Sequence, residues 1–138
     1  MKRDWVVDAS AVAGLFLPDE SSSYAEALLA SGSRWIVSEL WWFELANVLT
    51  VSFRRGRLHV DELERCVQLL SEFPLETARE LSNSDGLRMV TASARANQLS
   101  GYDASYLVLA RQRGLGIATI DEPLVKAATR LGVQVFKP

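Results

Sequence analysis

Short apolar segments alternate with longer helical segments along almost the whole chain, and this alternation limits the folds that the chain can adopt. The apolar segments have the length of single strands and stand at 4–8, 34–38, 75–78, 116–120 and 133–136. Each except the last is followed by residues with apolar side chains at helical spacing. The pattern therefore predicts an α/β fold of three layers, α/β/α, around a central parallel sheet of four to five strands.

Capping residues and helix breakers set the expected ends of the helices. The predicted helices run over 9–17, 21–32, 38–55, 60–73, 84–97, 101–114 and 121–132. Pro18 and Pro74 end two of them because proline cannot continue a helix, and Gly56 ends a third. Asp103 is expected at the N-cap of the helix that it opens.

The composition favours one small domain. With 138 residues, 49% of them hydrophobic, the chain can bury a core without disulfide bonds, and we expect a single domain over 1–138. Its one cysteine, Cys66, excludes an internal disulfide, so no oxidising compartment is required. The sequence shows no signal-peptide core and no apolar run of the ~20 residues that a membrane span needs. We therefore expect a soluble cytoplasmic protein without membrane contact.

The overall charge argues against a nucleic-acid interface that covers the whole molecule. The formal net charge is −2 and the sequence pI is about 5.4, whereas such interfaces are strongly basic. A contact with nucleic acid would therefore be local, and Arg54, Arg55 and Arg57 are the candidate RNA-binding residues. The alternative is a solvated helix end, where cations interact favourably with the helix dipole.

Acidic side chains that stand alone in apolar stretches are the strongest indication of function. They are Asp8 within 5–18, Glu44 within 40–53 and Asp103 within 96–110. An ionised carboxylate in such surroundings costs free energy unless a cation, a metal or several hydrogen bonds compensate it. Asp8 and Asp121 also follow predicted strands, and the carboxyl ends of parallel strands meet at one edge of a sheet. We therefore expect Asp8, Glu44, Asp103 and Asp121 to form one acidic site.

Each of these acids also has an alternative structural role. The aspartates stand where predicted helices begin, and an aspartate at an N-cap accepts hydrogen bonds from free backbone amides. Glu44 lies inside its helix, where the alternative is a solvent-facing side chain that pairs with an arginine. Asn47 shares the helix face of Glu44, and we expect it to support a neighbouring loop through hydrogen bonds.

A cluster of carboxylates favours a hard divalent cation. Carboxylates that meet at one edge repel one another unless a divalent ion lies between them. The donors are oxygens only, without a histidine cluster, so the predicted metal is Mg²⁺ or Mn²⁺ rather than zinc. The predicted ligands are Asp8, Glu44, Asp103 and Asp121.

The sequence context of these acids resembles a known family. The segments are VVDASA at 6–11, ELANVL at 44–49, GYDASYLVLA at 101–110 and ATIDEPL at 118–124. In order and spacing they resemble the four acidic motifs of the PIN domain, and most closely those of the VapC-type ribonuclease toxins of toxin–antitoxin pairs. The resemblance covers almost the whole chain, whereas residues 74–97 match no motif of the family.

The resemblance implies roles for individual residues and partners. It makes Asp8, Glu44 and Asp103 the core carboxylates and Asp121 a fourth, more variable acid. It also implies that Ser10 and Thr119 support the first and last aspartates through their hydroxyl groups. It further implies an RNA substrate, a homodimer and a VapB-type antitoxin whose C-terminal segment enters the acidic site.

The sequence thus favours metal-assisted hydrolysis of RNA, and two other interpretations stay open. In the favoured hypothesis, carboxylates hold one or two Mg²⁺ ions that activate a water molecule, and no protein nucleophile is needed. An aspartate-based phosphatase with Asp8 as nucleophile is disfavoured, because Ser10 stands where such enzymes carry a second aspartate. The other alternative is a PIN-like module without catalysis that binds a basic peptide or RNA.

Overall fold

Four parallel strands form the central sheet in the part of the chain that the structure, a computed structural model, describes: residues 3–17 and 22–138. They are β1 (Trp5–Val7), β2 (Trp35–Ser38), β3 (Leu75–Ala78) and β4 (Gly116–Ala118). Their order in the sheet is β3-β2-β1-β4, and each neighbouring pair is parallel. Helices flank this sheet, so the predicted three-layer α/β fold is confirmed.

The order of the strands reverses at β1. The chain passes from β1 outward to β2 and β3, and then crosses back so that β4 pairs with the other side of β1. In open parallel sheets the crevice at such a reversal is the usual place for a ligand. The register pairs Trp5 with Gly116 and Val7 with Ala118, so β1 and β4 end side by side. The residues that follow these two strands therefore begin at the same edge.

The helices follow the predicted pattern closely. In the described ranges they are α1 (Ala9–Val12), α2 (Ser23–Ala30), α3 (Glu39–Arg54), α4 (Val60–Leu70), α5 (Ser84–Asn97), α6 (Gly101–Arg113) and α7 (Glu122–Arg130). The helix expected over 9–17 is instead divided, because α1 is followed by a 3₁₀ turn, Ala13–Phe16, that contains a glycine unfavourable to α-helix. Pro18 lies outside the described residues. None of the described helices is both long enough and apolar enough to cross a membrane.

The segment 133–136, predicted as the last strand, does not form a continuous strand. Only Val135 forms a bridge, with Ile117 of β4. Two backbone hydrogen bonds flank this bridge, from the Ile117 N–H to the Gln134 carbonyl at 2.8 Å and from the Phe136 N–H to the Ile117 carbonyl at 2.9 Å. The ring of Phe136 also contacts Trp5 and Tyr24 edge-on, and its carbonyl accepts a hydrogen bond from the Tyr24 hydroxyl. A single bridge and side-chain packing thus replace a continuous ladder, and the sheet within the described residues stays at four strands.

Helix α6 lies at the centre of the core. Five of its residues are at most 1% exposed: Ala104, Tyr106, Leu107, Leu109 and Ala110. The helix contacts β1, β2 and β4, so its position relative to the sheet is fixed by apolar packing. Any side chain in the first turn of α6 is therefore held at a defined place beside the ends of these strands.

Gly86 allows the first turn of α5 to approach the preceding loop. A Cβ atom at this buried position would lie 1.9 Å from the carbonyl oxygen of Leu81. A backbone atom cannot move aside as the end of a flexible side chain can. The close approach of the loop to α5 therefore requires a glycine.

We expect Gly86→Ala to lower the free energy of unfolding by about 1–3 kcal/mol, the usual cost of overpacking. Urea denaturation measures the change. Gly101→Ala is the matched control, because a Cβ at the start of α6 meets nothing within 4 Å. The control should be as stable as the wild type or slightly more so. Wild-type stability of Gly86→Ala would contradict the close approach.

Candidate acidic site

Asp8 is a buried carboxylate held by hydroxyl groups. It follows β1, forms the N-cap of α1 and is 4% exposed. The hydroxyls of Ser10 and Thr119 both donate to its Oδ2 atom at 2.7 Å. Among the described residues, its Oδ1 atom accepts only the backbone N–H of Ser10, at 3.4 Å. One oxygen is thus well satisfied by neutral donors, whereas the other retains capacity for a further partner.

The loop after β4 places Thr119 and Asp121 beside Asp8. The oxygen of the buried Thr119 hydroxyl accepts the backbone N–H of Asp121 at 3.0 Å. Asp121 is the N-cap of α7, and its Oδ2 accepts the backbone N–H of Leu124 at 3.3 Å. The resemblance implied that Thr119 supports the last aspartate with its hydroxyl. In the structure this hydroxyl donates to Asp8, because β1 and β4 end side by side, and its oxygen also accepts the backbone N–H of Asp121.

Tyr24 fixes the loop that carries Thr119. Its hydroxyl oxygen accepts the backbone N–H of Thr119 at 3.1 Å, and the hydroxyl donates to the carbonyl of Phe136 at 3.0 Å. Burial raises the pKa of Tyr24 to about 12, so this phenol stays protonated and keeps its donor at neutral pH. The tyrosine thereby connects α2, the loop after β4 and the C-terminal segment.

Glu44 is held by a tyrosine from another helix. It is half-buried in α3. The hydroxyl of Tyr106, which is fully buried in α6, donates a hydrogen bond to Glu44 Oε1. Burial raises the pKa of Glu44, the hydrogen bond from Tyr106 lowers it, and the charge of Asp8 raises it. Within the described residues Glu44 pairs with no arginine, so its observed partner is a neutral hydroxyl.

Asp103 lies in the first turn of α6 and is not its N-cap. The N-cap is Ser100, whose side-chain oxygen accepts the backbone N–H of Asp103 at 3.0 Å. The predicted cap is therefore wrong, because the serine already captures this amide. Burial, a hydrogen bond with Asp121 and the charges of Asp121, Asp8 and Glu44 raise the pKa of Asp103 to about 7.

The carboxyl groups of Asp8, Glu44, Asp103 and Asp121 are therefore close enough that their charges help to raise the pKa values of Asp103 and Glu44. Within residues 3–17 and 22–138, no three Asp, Glu, His or Cys side chains are grouped tightly enough to hold a metal ion directly. Mg²⁺ commonly keeps several water ligands and binds only one or two carboxylates. The oxygen-only donors and the excess negative charge fit a partly hydrated divalent cation of this kind.

The other predicted site residues are Asn47 and the arginines at the end of α3. The side chain of Asn47 is exposed and makes no hydrogen bond within the described ranges, so its supporting role stays a prediction. Arg54 and Arg55 are exposed at the end of α3, and Arg57 follows them. Arg54 stands about 15 Å from Glu44 along the helix axis at ~1.5 Å per residue. Arg54 is therefore outside the acidic site.

Two tyrosines of the site, Tyr24 and Tyr106, were not predicted from the sequence. Tyr106 stands one helical turn after Asp103, and this i, i+3 spacing was the available signal. Tyr24 gave no signal, because its contacts with Thr119 and Phe136 join distant parts of the chain.

The protein is thus a three-layer α/β protein with carboxylates at the strand reversal of its parallel sheet. Comparison with known proteins identifies the family. Residues 5–129 match the PIN domain, and the chain belongs to this family. It is 34% identical to Ribonuclease VapC3 of Pyrobaculum aerophilum over 121 residues. The aligned region covers 88% of this chain and 92% of that protein. The fold resembles the crystal structure of PAE2754 from Pyrobaculum aerophilum, with a TM-score of 0.70 and 25% identity over 98% of this chain and 85% of that one. The predicted family is thus confirmed.

The crowding of Asp103 predicts a pH-dependent effect of Asp103→Asn on stability. The pKa of Asp103 rises from about 3.9 in an unfolded chain to about 7 in the folded protein. Ionisation therefore destabilises the fold progressively as the pH rises through this window, and Asn removes that cost. In EDTA we expect Asp103→Asn to raise the melting temperature by about 2–6 °C at pH 8 and by much less at pH 4.5.

Thermal unfolding followed by circular dichroism at both pH values measures this difference. Asp85→Asn is the control, because the Asp85 side chain is 82% exposed and pairs with Arg88 on the surface. An Asp103→Asn difference that stays constant between the two pH values would contradict the crowding.

Proposed function

We propose that the protein is a Mg²⁺-dependent or Mn²⁺-dependent endoribonuclease, the toxin of a type II VapBC toxin–antitoxin pair. The observation that carries the proposal is the set of carboxylates around Asp103, which meet at the strand reversal of a PIN domain. The similarity to Ribonuclease VapC3 over most of the chain supports RNA as the substrate.

The residues have distinct tasks in the proposed hydrolysis. When bound, the divalent ion supplies a Lewis acid that polarises the phosphate and lowers the pKa of a water molecule. Asp8 and Glu44 would hold the ion through the oxygens that their hydroxyl donors leave less occupied. Asp103, whose pKa is about 7 in the ion-free protein, would give up its proton when a cation binds. Asp121 would hold a second ion or orient water.

The proposed chemistry needs no protein nucleophile. Water attacks the phosphorus atom and the P–O3′ bond breaks, so the products carry a 3′-hydroxyl and a 5′-phosphate. The same acidic surface suits the basic C-terminal segment of a VapB-type antitoxin, which would block the site by charge complementarity. We further propose that the protein acts in the cytoplasm as a homodimer, by analogy with its family.

The two rival functions are less well supported. A nucleophilic Asp8 is disfavoured because it is 4% exposed, and because Ser10 donates to it where a phosphatase needs a second acid. An acyl-phosphate trapped on Asp8 would reverse this judgement. A non-catalytic module would keep the acidic site and bind a basic peptide or RNA without cleavage.

We expect Asp8→Asn to reduce Mg²⁺-dependent cleavage of total RNA by at least about 100-fold, because even partners of metal ligands contribute about 10–100-fold. Cleavage is followed on gels, and the ends of the fragments are mapped. Asp85→Asn, on the exposed face of α5, is the matched control and should cleave like the wild type.

Three results separate the hypotheses. Full Mg²⁺-dependent cleavage by Asp8→Asn would remove the acidic site from the mechanism. A wild type that binds RNA or a basic peptide but cleaves nothing would favour the non-catalytic module. Growth arrest on expression, relieved by a neighbouring gene for a basic-tailed DNA-binding protein, would support the toxin.

The arginines at the end of α3 remain the proposed RNA contact outside the acidic site. In a variant with Arg54→Gln and Arg55→Gln, we expect weaker binding of single-stranded RNA and a salt-dependence slope that is smaller by about 1.4, at ~0.7 per lost phosphate contact. Fluorescence anisotropy in an Asp8→Asn background measures binding without cleavage. Arg88→Gln on α5 is the control. An unchanged slope in the double variant would show that these side chains are solvated at the helix end and do not contact RNA.

A further inference from the structure

Tyr106 makes a contact that connects two carboxylates of the site through one helix. It stands three residues after Asp103 in α6, so both side chains project from nearly the same face, one turn apart. Its hydroxyl reaches across to α3 and donates to Glu44 Oε1. The place of Glu44 relative to Asp103 is therefore set by a single turn of a buried helix.

The surroundings of Tyr106 make this contact rigid. The side chain is 0% exposed in the packed core around α6. Glu44, by contrast, is only half-buried, and an unrestrained glutamate in this part of α3 gains rotamer freedom by turning toward water. Tyr106 thus supplies the fixed end of the hydrogen bond, and Glu44 is the side chain that the hydrogen bond restrains.

The chemistry of the donor suits a residue that prepares a metal ligand. A phenolic hydroxyl orients Glu44 Oε1 but leaves the carboxylate charge and the second oxygen, Oε2, available to a cation. A lysine or arginine in its place would neutralise that charge and compete with the ion. Asp8 is held in the same manner, by the hydroxyls of Ser10 and Thr119 on Oδ2.

We propose that Tyr106 is a positioning residue, which holds Glu44 in the orientation that binds the divalent ion. The inference rests on the metal-dependent function proposed above, and it concerns the affinity for the ion. Partners that orient metal ligands usually contribute about 10–100-fold to affinity. We therefore expect Tyr106→Phe to weaken binding of Mn²⁺ about 10-fold while the ring keeps its place in the core.

Isothermal titration of the full chain with Mn²⁺ tests the proposal. The variants are Tyr106→Phe, Glu44→Gln and the double variant, with Tyr102→Phe as the control. Tyr102 lies on the same helix and is 65% exposed. If Tyr106 acts through Glu44, the double variant binds Mn²⁺ no more weakly than Glu44→Gln alone, and the control binds as the wild type does. A merely structural tyrosine would weaken binding equally in both backgrounds.

A second measurement applies if Tyr106→Phe does not fold. Wild-type protein labelled with 3-fluorotyrosine is titrated with Mg²⁺, which is diamagnetic, and the ¹⁹F signal of residue 106 is followed. We expect this signal to shift on Mg²⁺ binding in the wild type and to stay unchanged in Glu44→Gln.

The outcomes separate this inference from the proposed function. Wild-type affinity in a folded Tyr106→Phe variant would overturn the positioning role and leave the metal site standing. If the wild type binds Mg²⁺ but the ¹⁹F signal of residue 106 does not shift, the positioning role is likewise overturned and the metal site stands. A wild type that binds neither Mn²⁺ nor Mg²⁺ would overturn the proposed function and this inference together.

Discussion

Mutual repulsion among carboxylates at one edge of the sheet is the constraint on which the proposed function of this protein depends. The strand order β3-β2-β1-β4 makes the ends of β1 and β4 neighbours, and so brings Asp8 close to Asp121. Helices α3 and α6 add Glu44 and Asp103 to the same place. Apolar packing of the core holds these acids where their charges disfavour one another, so the fold itself creates an affinity for positive charge.

The side-chain hydrogen-bond donors to Asp8 and Glu44 are neutral hydroxyl groups, so they do not cancel the negative charge of the carboxylates. Hydroxyl groups hold Asp8 and Glu44 by one oxygen each, and Tyr24 fixes the loop that carries one of these hydroxyls. The ion pairs of Arg34 and Arg113 lie elsewhere, with Asp4, Glu76 and Glu80. Among the residues that the structure describes, the acidic site thus has hydroxyl partners and no ion pair, an arrangement that suits a metal ion or a basic peptide.

The sequence predicted those features that depend on local pattern. Periodicity gave α5 its bounds at Ser84–Asn97, and the isolation of Asp8, Glu44 and Asp103 indicated side chains that need a partner. Two kinds of feature were not predictable: the choice between two neighbouring candidate residues for one role, and contacts between segments far apart in the sequence. Ser100 takes the cap that Asp103 was expected to form, and Phe136 packs on rings where a last strand was expected. Tyr24 and Tyr106 act through contacts between distant segments, for which one sequence carries little signal.

The most direct test of this account is the number of protons released when Mg²⁺ binds at pH 6.5. Titration calorimetry in two buffers with different ionisation enthalpies measures this number. Because the pKa of Asp103 is about 7 in the ion-free protein, we expect release of about half a proton or more per site, and far less in Asp103→Asn. Binding without proton release, or no binding at all, would contradict the claim that crowded carboxylates create the metal site.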